Sequence, residues 1–223
     1  MDKKIIGLVG IIIAMVLIFV AFFMPIYSYS TSMDTEELSG FGSFFEDFDV
    51  DYNMYLTKME VKGSIWGMDM TNTTSYSDAE GQFPAKSVFD NTFYLWIITL
   101  ILAIVSLIGF IALYLTKKNV MKKIALVFGI LAFVFALIVP LYFMVGFNDF
   151  IDNQYESYLS MSEAEDTGFE YSFWFSASEN GMEASGGPGI AWYIMFIAGI
   201  IALISSIMLM LNKKEKMKLE PQY

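Results

Sequence analysis

Residues 96–118 read WIITLILAIVSLIGFIALYLTKK and residues 192–214 read WYIMFIAGIIALISSIMLMLNKK. The two stretches align without a gap, with Trp at one end and Lys-Lys at the other. Nothing charged lies between these ends, and each stretch reaches the roughly 20 apolar residues that cross a bilayer as a helix. Trp prefers the headgroup level and Lys the cytoplasmic surface, so both stretches read as spans running inward.

Working outward, the chain has four runs free of Asp, Glu, Lys and Arg: Ile5–Met33, Asn91–Thr116, Ile124–Asn148 and Ala184–Asn212. Composition agrees. The 223 residues are 56% hydrophobic, with a mean hydropathy of +0.54, above the roughly 45–50% of soluble domains. Lys3, Lys4, Lys117, Lys118, Lys122, Lys123, Lys213, Lys214, Lys216 and Lys218 flank the runs on one side, whereas most acids fall on the other. Positive charge marks the cytoplasmic side. The expected fold class is therefore an α-helical integral membrane protein, a bundle of four transmembrane helices bearing a small extracellular β-rich (α+β) domain built from both outer loops. We expect a cytoplasmic N-terminus at 1–4, spans at 5–27, 93–116, 124–147 and 189–212, a cytoplasmic loop at 117–123 and a cytoplasmic tail at 213–223. The outer loops are 28–92 and 148–188, which makes this a multi-pass protein of the plasma membrane. Met1-Asp-Lys-Lys would suit a signal peptide, but the apolar run that follows exceeds the roughly 7–15 residues of a signal core. It reads as an uncleaved anchor.

The gapless match suggests a duplication. Lys3-Lys4-Ile5 with Gly10-Ile11 resembles Lys122-Lys123-Ile124 with Gly129-Ile130, so each half reads helix out, loop, Trp, helix in. Two such hairpins imply a pseudo-two-fold axis along the membrane normal. Small residues form stripes: Ala103, Ser106, Gly109 and Ala112; Ala125, Gly129, Ala132 and Ala136; Ala198, Ala202 and Ser206. In lipid such stripes let helix backbones approach closely.

The outer loops carry strand signals. Asp51–Met70 alternates, with Gly63 as the expected turn before Ile65-Trp66. Phe169–Phe175 also alternates, and Asn180-Gly181 is a hairpin turn. Phe147, Phe150, Ile151, Tyr155 and Tyr158 recur near a helical period, so the third helix should continue past the membrane. Gly186-Gly187-Pro188-Gly189 should break the chain before the fourth. The order of elements (helix, larger strand-bearing loop, two helices with a tight inner turn, shorter loop, helix) resembles the claudin and peripheral-myelin-protein group in topology. Ser64-Ile65-Trp66-Gly67 stands where those proteins carry a Gly-Leu-Trp stretch, and the cysteine pair of their first loop is absent here.

The chain contains no Cys and no His, which removes thiol nucleophiles, imidazole bases and the usual zinc ligands. Asp47, Asp49 and Asp51 share one face of an extended segment and would offer oxygen ligands to Ca²⁺ or Mg²⁺; a solvated strand face is the competing reading. Leu38, Phe41, Phe44, Phe45 and Phe48 form an apolar stripe that could lie on the outer leaflet, meet a partner together with Trp66 and Trp174, or be buried under the sheet. Asn72-Thr73-Thr74 fits the N-glycosylation pattern at Asn72. The expected spans hold no Asp, Glu, Lys or Arg, whereas pumps and proton-coupled carriers place such groups there. Thr99, Ser106, Ser205 and Ser206 read as packing hydroxyls. The first expectation is a non-enzymatic membrane protein whose ectodomain serves assembly, adhesion or an accessory role. Its partners would be the lipid bilayer and a second copy or other membrane proteins, not nucleic acid. A small-solute channel or transporter formed by an oligomer, and an extracytoplasmic enzyme using carboxylates or a metal, are the alternatives.

Overall fold

The computed structural model describes residues 3–33, 48–65, 68–78, 85–161, 173–179 and 182–211. In chain order they form α1 (Lys3–Ala21), β1 (Tyr27–Met33), β2 (Phe48–Met54), β3 (Lys58–Ile65), β4 (Met68–Ser75), α2 (Lys86–Thr116), α3 (Asn119–Met161), β5 (Phe175–Glu179), β6 (Met182–Pro188) and α4 (Ile190–Leu211). Among the described residues, three helices are long and apolar enough to cross a membrane, within Lys86–Thr116, Asn119–Ile151 and Ile190–Met208. The apolar part of α1, Ile5–Ala21, is shorter. Pro25, which lacks a backbone N–H, follows it, and the chain is already in β1 at Tyr27.

The chain divides into two compact units. The first comprises residues 1–22, 94–140 and 194–223. Its helices pack through small residues. A Cβ on Gly109 would lie 2.8 Å from the Ala125 backbone nitrogen, one on Gly199 would lie 3.1 Å from the Ala136 Cβ, and one on Gly10 would overlap the Ser205 hydroxyl. Each small residue thus marks a close approach: α2 to α3, α4 to α3, and α1 to α4. Ala103, Ala125, Ala132, Ala136, Ala198 and Ala202 are all buried, as the stripes predict. The large aliphatic residues face away, with Ile12, Val16, Ile101, Ile108, Val127 and Ile200 exposed. Trp96 is fully buried, and its indole Nε1 donates to the Ile18 carbonyl at 3.0 Å. The sequence reading places it at an interface as an anchor; here it works as a wedge between α2 and α1.

In the alignment of 96–118 with 192–214, burial coincides at Thr99 and Met195, Ala103 and Gly199, Ser106 and Ala202, Gly109 and Ser205, and Phe110 and Ser206. The outward pair differs. Matching Lys3-Lys4-Ile5 to Lys122-Lys123-Ile124 sets buried Ile11 against half-buried Ile130. The burial phases agree only after a shift of one residue, which pairs Gly7 with Ala125, Ala14 with Ala132 and Ile18 with Ala136.

The described residues of the second unit, 23–93 and 141–193, include one six-stranded sheet in the order β4-β3-β2-β1-β6-β5, every neighbour antiparallel. β1 is central. Its sequence, YSYSTSM, sets Ser28, Ser30 and Ser32 between Tyr27, Tyr29, Thr31 and Met33, and the two-residue period of a strand sends the two sets to opposite faces. Aromatic residues fill one side. Tyr27 packs on Phe147 and Phe173 at centroid distances of 4.6 and 5.3 Å, and Tyr76 on Phe89 at 4.8 Å, with Phe143 a further 5.1 Å from Phe89. Burial pushes the Tyr76 phenol well above the ordinary tyrosine range. A raised folded-state pKa stabilises the fold below the ordinary value, and that stability is lost as pH rises past it. The melting temperature should therefore fall above about pH 10, and Tyr76→Phe should remove part of that fall in melts run across the alkaline range.

Several turn expectations need correction. Gly63 lies inside β3, opposite Val50 and Met70. A Cβ there would approach the Asp49 carbonyl oxygen to 2.6 Å, so the glycine serves close strand approach instead of a turn. Asp51–Met70 is broken at Tyr55–Thr57, where the Tyr55 N–H meets the Lys58 carbonyl at 2.8 Å and Leu56 is buried. Gly186, Gly187 and Pro188 belong to β6; Gly189 alone separates it from α4. A Cβ on Gly189 would overlap the Pro25 carbonyl oxygen, which accepts the Ala191 N–H at 3.0 Å. The expected cytoplasmic loop 117–123 is mostly helix, since α3 starts at Asn119, and Lys117 turns the chain with a φ of 54°. As expected, α3 continues well past 147, to Met161, and β5 pairs with β6 around residues 180 and 181.

Candidate binding face of the sheet

The register fixes which side chains share a face. Ser30 on β1 stands opposite Asp51 on β2 and Ser185 on β6. Asp51 stands opposite Lys62, Lys62 opposite Thr71, and Ser185 opposite Ser176. The row across the sheet is therefore Ser176, Ser185, Ser30, Asp51, Lys62, Thr71. A second row runs Gly187, Ser28, Asn53, Glu60, Thr73, and a third Ser178, Glu183, Ser32, Asp49, Ser64, Asp69. Every residue in the three rows except Gly187 carries a polar side chain. The opposite face carries Tyr29, packed on Tyr52 and Phe175 at 5.3 and 5.7 Å. A Cβ at Gly186, between Tyr29 and Phe175 in the register, would overlap the Phe175 ring.

The polar groups bond laterally. Ser28 Oγ donates to Asn53 Oδ1 at 3.0 Å, and the Ser30 and Ser185 hydroxyls lie 3.0 Å apart. Glu60 Oε2 accepts from Tyr55 Oη at 3.1 Å and pairs with Lys62 Nζ at 3.0 Å. The hydrogen bond from Lys62 holds the Glu60 carboxyl below the usual range and raises the lysine in turn. Two shallow pockets meet at Ser30 and Ser185. One, of about 250 Å³, reaches Ser28, Asp51, Asn53 and Gly187; the other, of about 220 Å³, reaches Ser32, Ser176, Ser178 and Glu183. Beside Gly187 stands Trp174, 49% exposed. Its Cδ1 lies 3.2 Å from where a Gly187 Cβ would be, and Phe173 and Trp192 meet it edge to face at 4.8 and 5.7 Å.

Of the residues singled out from sequence, Asp49 and Asp51 are exposed on this polar face, and Asp47 lies outside the described residues. Among the described residues, no group of three or more carboxylates comes together. Asn72 is exposed on β4, on the face opposite the polar rows. Leu38, Phe41, Phe44, Phe45 and Trp66 lie outside the described residues; Phe48 opens β2, and its side chain is outside them too. The serines of β1 and β6 were not singled out, although the Tyr-Ser alternation of 27–32 carried the signal.

No protein-family model matches this chain, and no curated protein sequence matches it.

Proposed function

We propose that this chain is a non-enzymatic membrane protein with four spans, whose sheet domain lies outside the cell and assembles with a second copy edge to edge through β4. The helices support the membrane reading. Small and hydroxyl side chains point inward and large aliphatic ones outward, an arrangement suited to lipid, where packing replaces the hydrophobic effect. The hydroxyls favour assembly over transport. Thr99, Ser205 and Ser206 each donate to a carbonyl of their own helix, and Ser106 donates to the Ala125 carbonyl, so the one O–H donor of each is committed to backbone.

The observation that carries the assembly reading is β4 itself. Among the described residues it is an edge strand paired with β3 alone, eight residues long, without Lys or Pro, and exposed from Met68 to Thr73. Soluble proteins blunt such edges with charges, prolines or bulges, because open N–H and C=O groups recruit another strand. Met68 and Met70 are 60% and 55% exposed and would be covered by pairing. In an antiparallel match centred at Thr71 or Asn72, Asp69 faces Thr73 or Ser75, so no acids oppose each other. The other edge, β5, has five residues.

The native chain has no cysteine, so single cysteines report cleanly. Residues on a two-fold axis between antiparallel strands approach to roughly 4.5–5.5 Å. Thr71→Cys or Asn72→Cys should form disulfide dimers under mild oxidation of intact cells, and a membrane-impermeant maleimide should block them. Ser178→Cys, on β5, should stay monomeric. Dimers through Ser178→Cys, no dimers at either β4 position, or no block by the maleimide would overturn the proposal.

A further inference from the structure

We infer that the polar face of the sheet is a carbohydrate-binding surface, with Trp174 as the platform for one sugar ring and the rows of β6, β1 and β2 as its hydrogen-bonding floor. The inference does not depend on edge-to-edge assembly. A saccharide presents apolar C–H faces and a rim of hydroxyls that both donate and accept. A floor to match it needs side chains with the same double capacity, and serine and asparagine have it while a carboxylate accepts only. Ser28, Ser30, Ser185, Asn53 and Asp51 line one pocket together. Neighbouring strands lie roughly 4.8 Å apart, so these groups recur at about the span of one ring.

Trp174 completes the set. Tryptophan is highly buried on average, yet this one keeps 49% of its surface exposed while Phe173 and Trp192 meet it nearly perpendicular, at 86° and 87°. Such contacts hold an indole in one orientation. It stands beside Gly187, which also lines the serine pocket. With no side chain at Gly187, the space between indole and pocket stays open.

Other ligand classes fit less well. A protein partner needs an apolar core within its interface, and the described part of this face supplies only Trp174. Nucleic acid needs excess positive charge, whereas Asp49, Asp51, Glu60, Asp69 and Glu183 outweigh Lys58 and Lys62. An acidic glycan is disfavoured for the same reason, which leaves a neutral saccharide.

The test uses the full chain in lipid nanodiscs, free of sugar-based detergent, titrated calorimetrically with cellohexaose and with chitohexaose. At least one should bind, and Trp174→Ala should weaken that binding about tenfold. Should Trp174→Ala fail to fold, Ser185→Val and Asp51→Ala, both on the exposed face, provide the same test and should each weaken binding with an unchanged melting temperature. No heat from either hexasaccharide up to about 10 mM, or wild-type affinity in all the folded variants, would overturn the inference.

Discussion

Trp96→Ala should lower the stability of the chain by about 3–5 kcal/mol, the range for removing a fully buried large aromatic. Trp96 is 1% exposed, and its Nε1 hydrogen bond reaches Ile18 in the last turn of α1, where carbonyls run short of backbone donors. Truncation therefore removes packing and a buried bond together. Trp96→Phe separates the two: it keeps most of the volume and should cost about 1–3 kcal/mol, the penalty for a buried acceptor left without its donor. Thermal unfolding in nanodiscs, with each variant measured against the parent, checks both. Equal losses for Ala and Phe would mean that the hydrogen bond, and not packing, joins the two helices.

Gly109→Val should be comparably damaging, about 3 kcal/mol or more. The Cβ it introduces would lie 2.8 Å from the Ala125 nitrogen and 3.0 Å from its Cα. These are backbone atoms, so relief requires α2 and α3 to separate, and separation would also break the Ser106 bond to the Ala125 carbonyl. Gly129→Ala is the informative contrast. The atoms its Cβ would meet first are the Ser206 and Ser106 hydroxyl oxygens, which can turn aside by giving up their bonds to the Ala202 and Ala125 carbonyls without parting the helices, so its loss should be smaller. The measurement is again the melting temperature. A Gly129→Ala loss equal to that of Gly109→Val would show that side-chain rotation gives no relief in this packing.

The helices were legible because a membrane-length run without charge has few other readings. The inner faces were legible too, since small residues at helical spacing became the buried stripes. β1 was hidden by the same rule. Its residues have no charge as far as Met33, so Tyr27 counted toward a span, although the Tyr-Ser alternation already had the period of a strand. Glycine misled in the opposite direction. Gly63 and Gly186 look like breakers, yet each sits where a neighbouring strand or ring comes too near for a Cβ, a property set by partners remote in sequence. The polar face was beyond reach for that reason. Ser30 meets Ser185, and Asp51 meets Lys62, only once the register is known. Trp96 shows a subtler limit: an aromatic at the end of an apolar run fits both an interfacial anchor and a buried wedge.

The central pairing of β1 with β6 also sets a timetable. Ser30 and Ser185 are 155 residues apart, and contacts at such separation form slowly because a long loop must close first. During synthesis β1 to β4 emerge together and can pair as a meander, while the β6 side of β1 waits for nearly the whole chain to be made. Until then the strand at the middle of the finished sheet is an open edge, exposed to pairing with a neighbouring nascent chain. Its serine-rich sequence, with low apolar content on one side, makes that interval less hazardous than a uniformly hydrophobic strand would. A ribosome stalled before residue 182 should therefore hold a four-stranded intermediate, and the last hairpin to arrive would convert an edge into a centre.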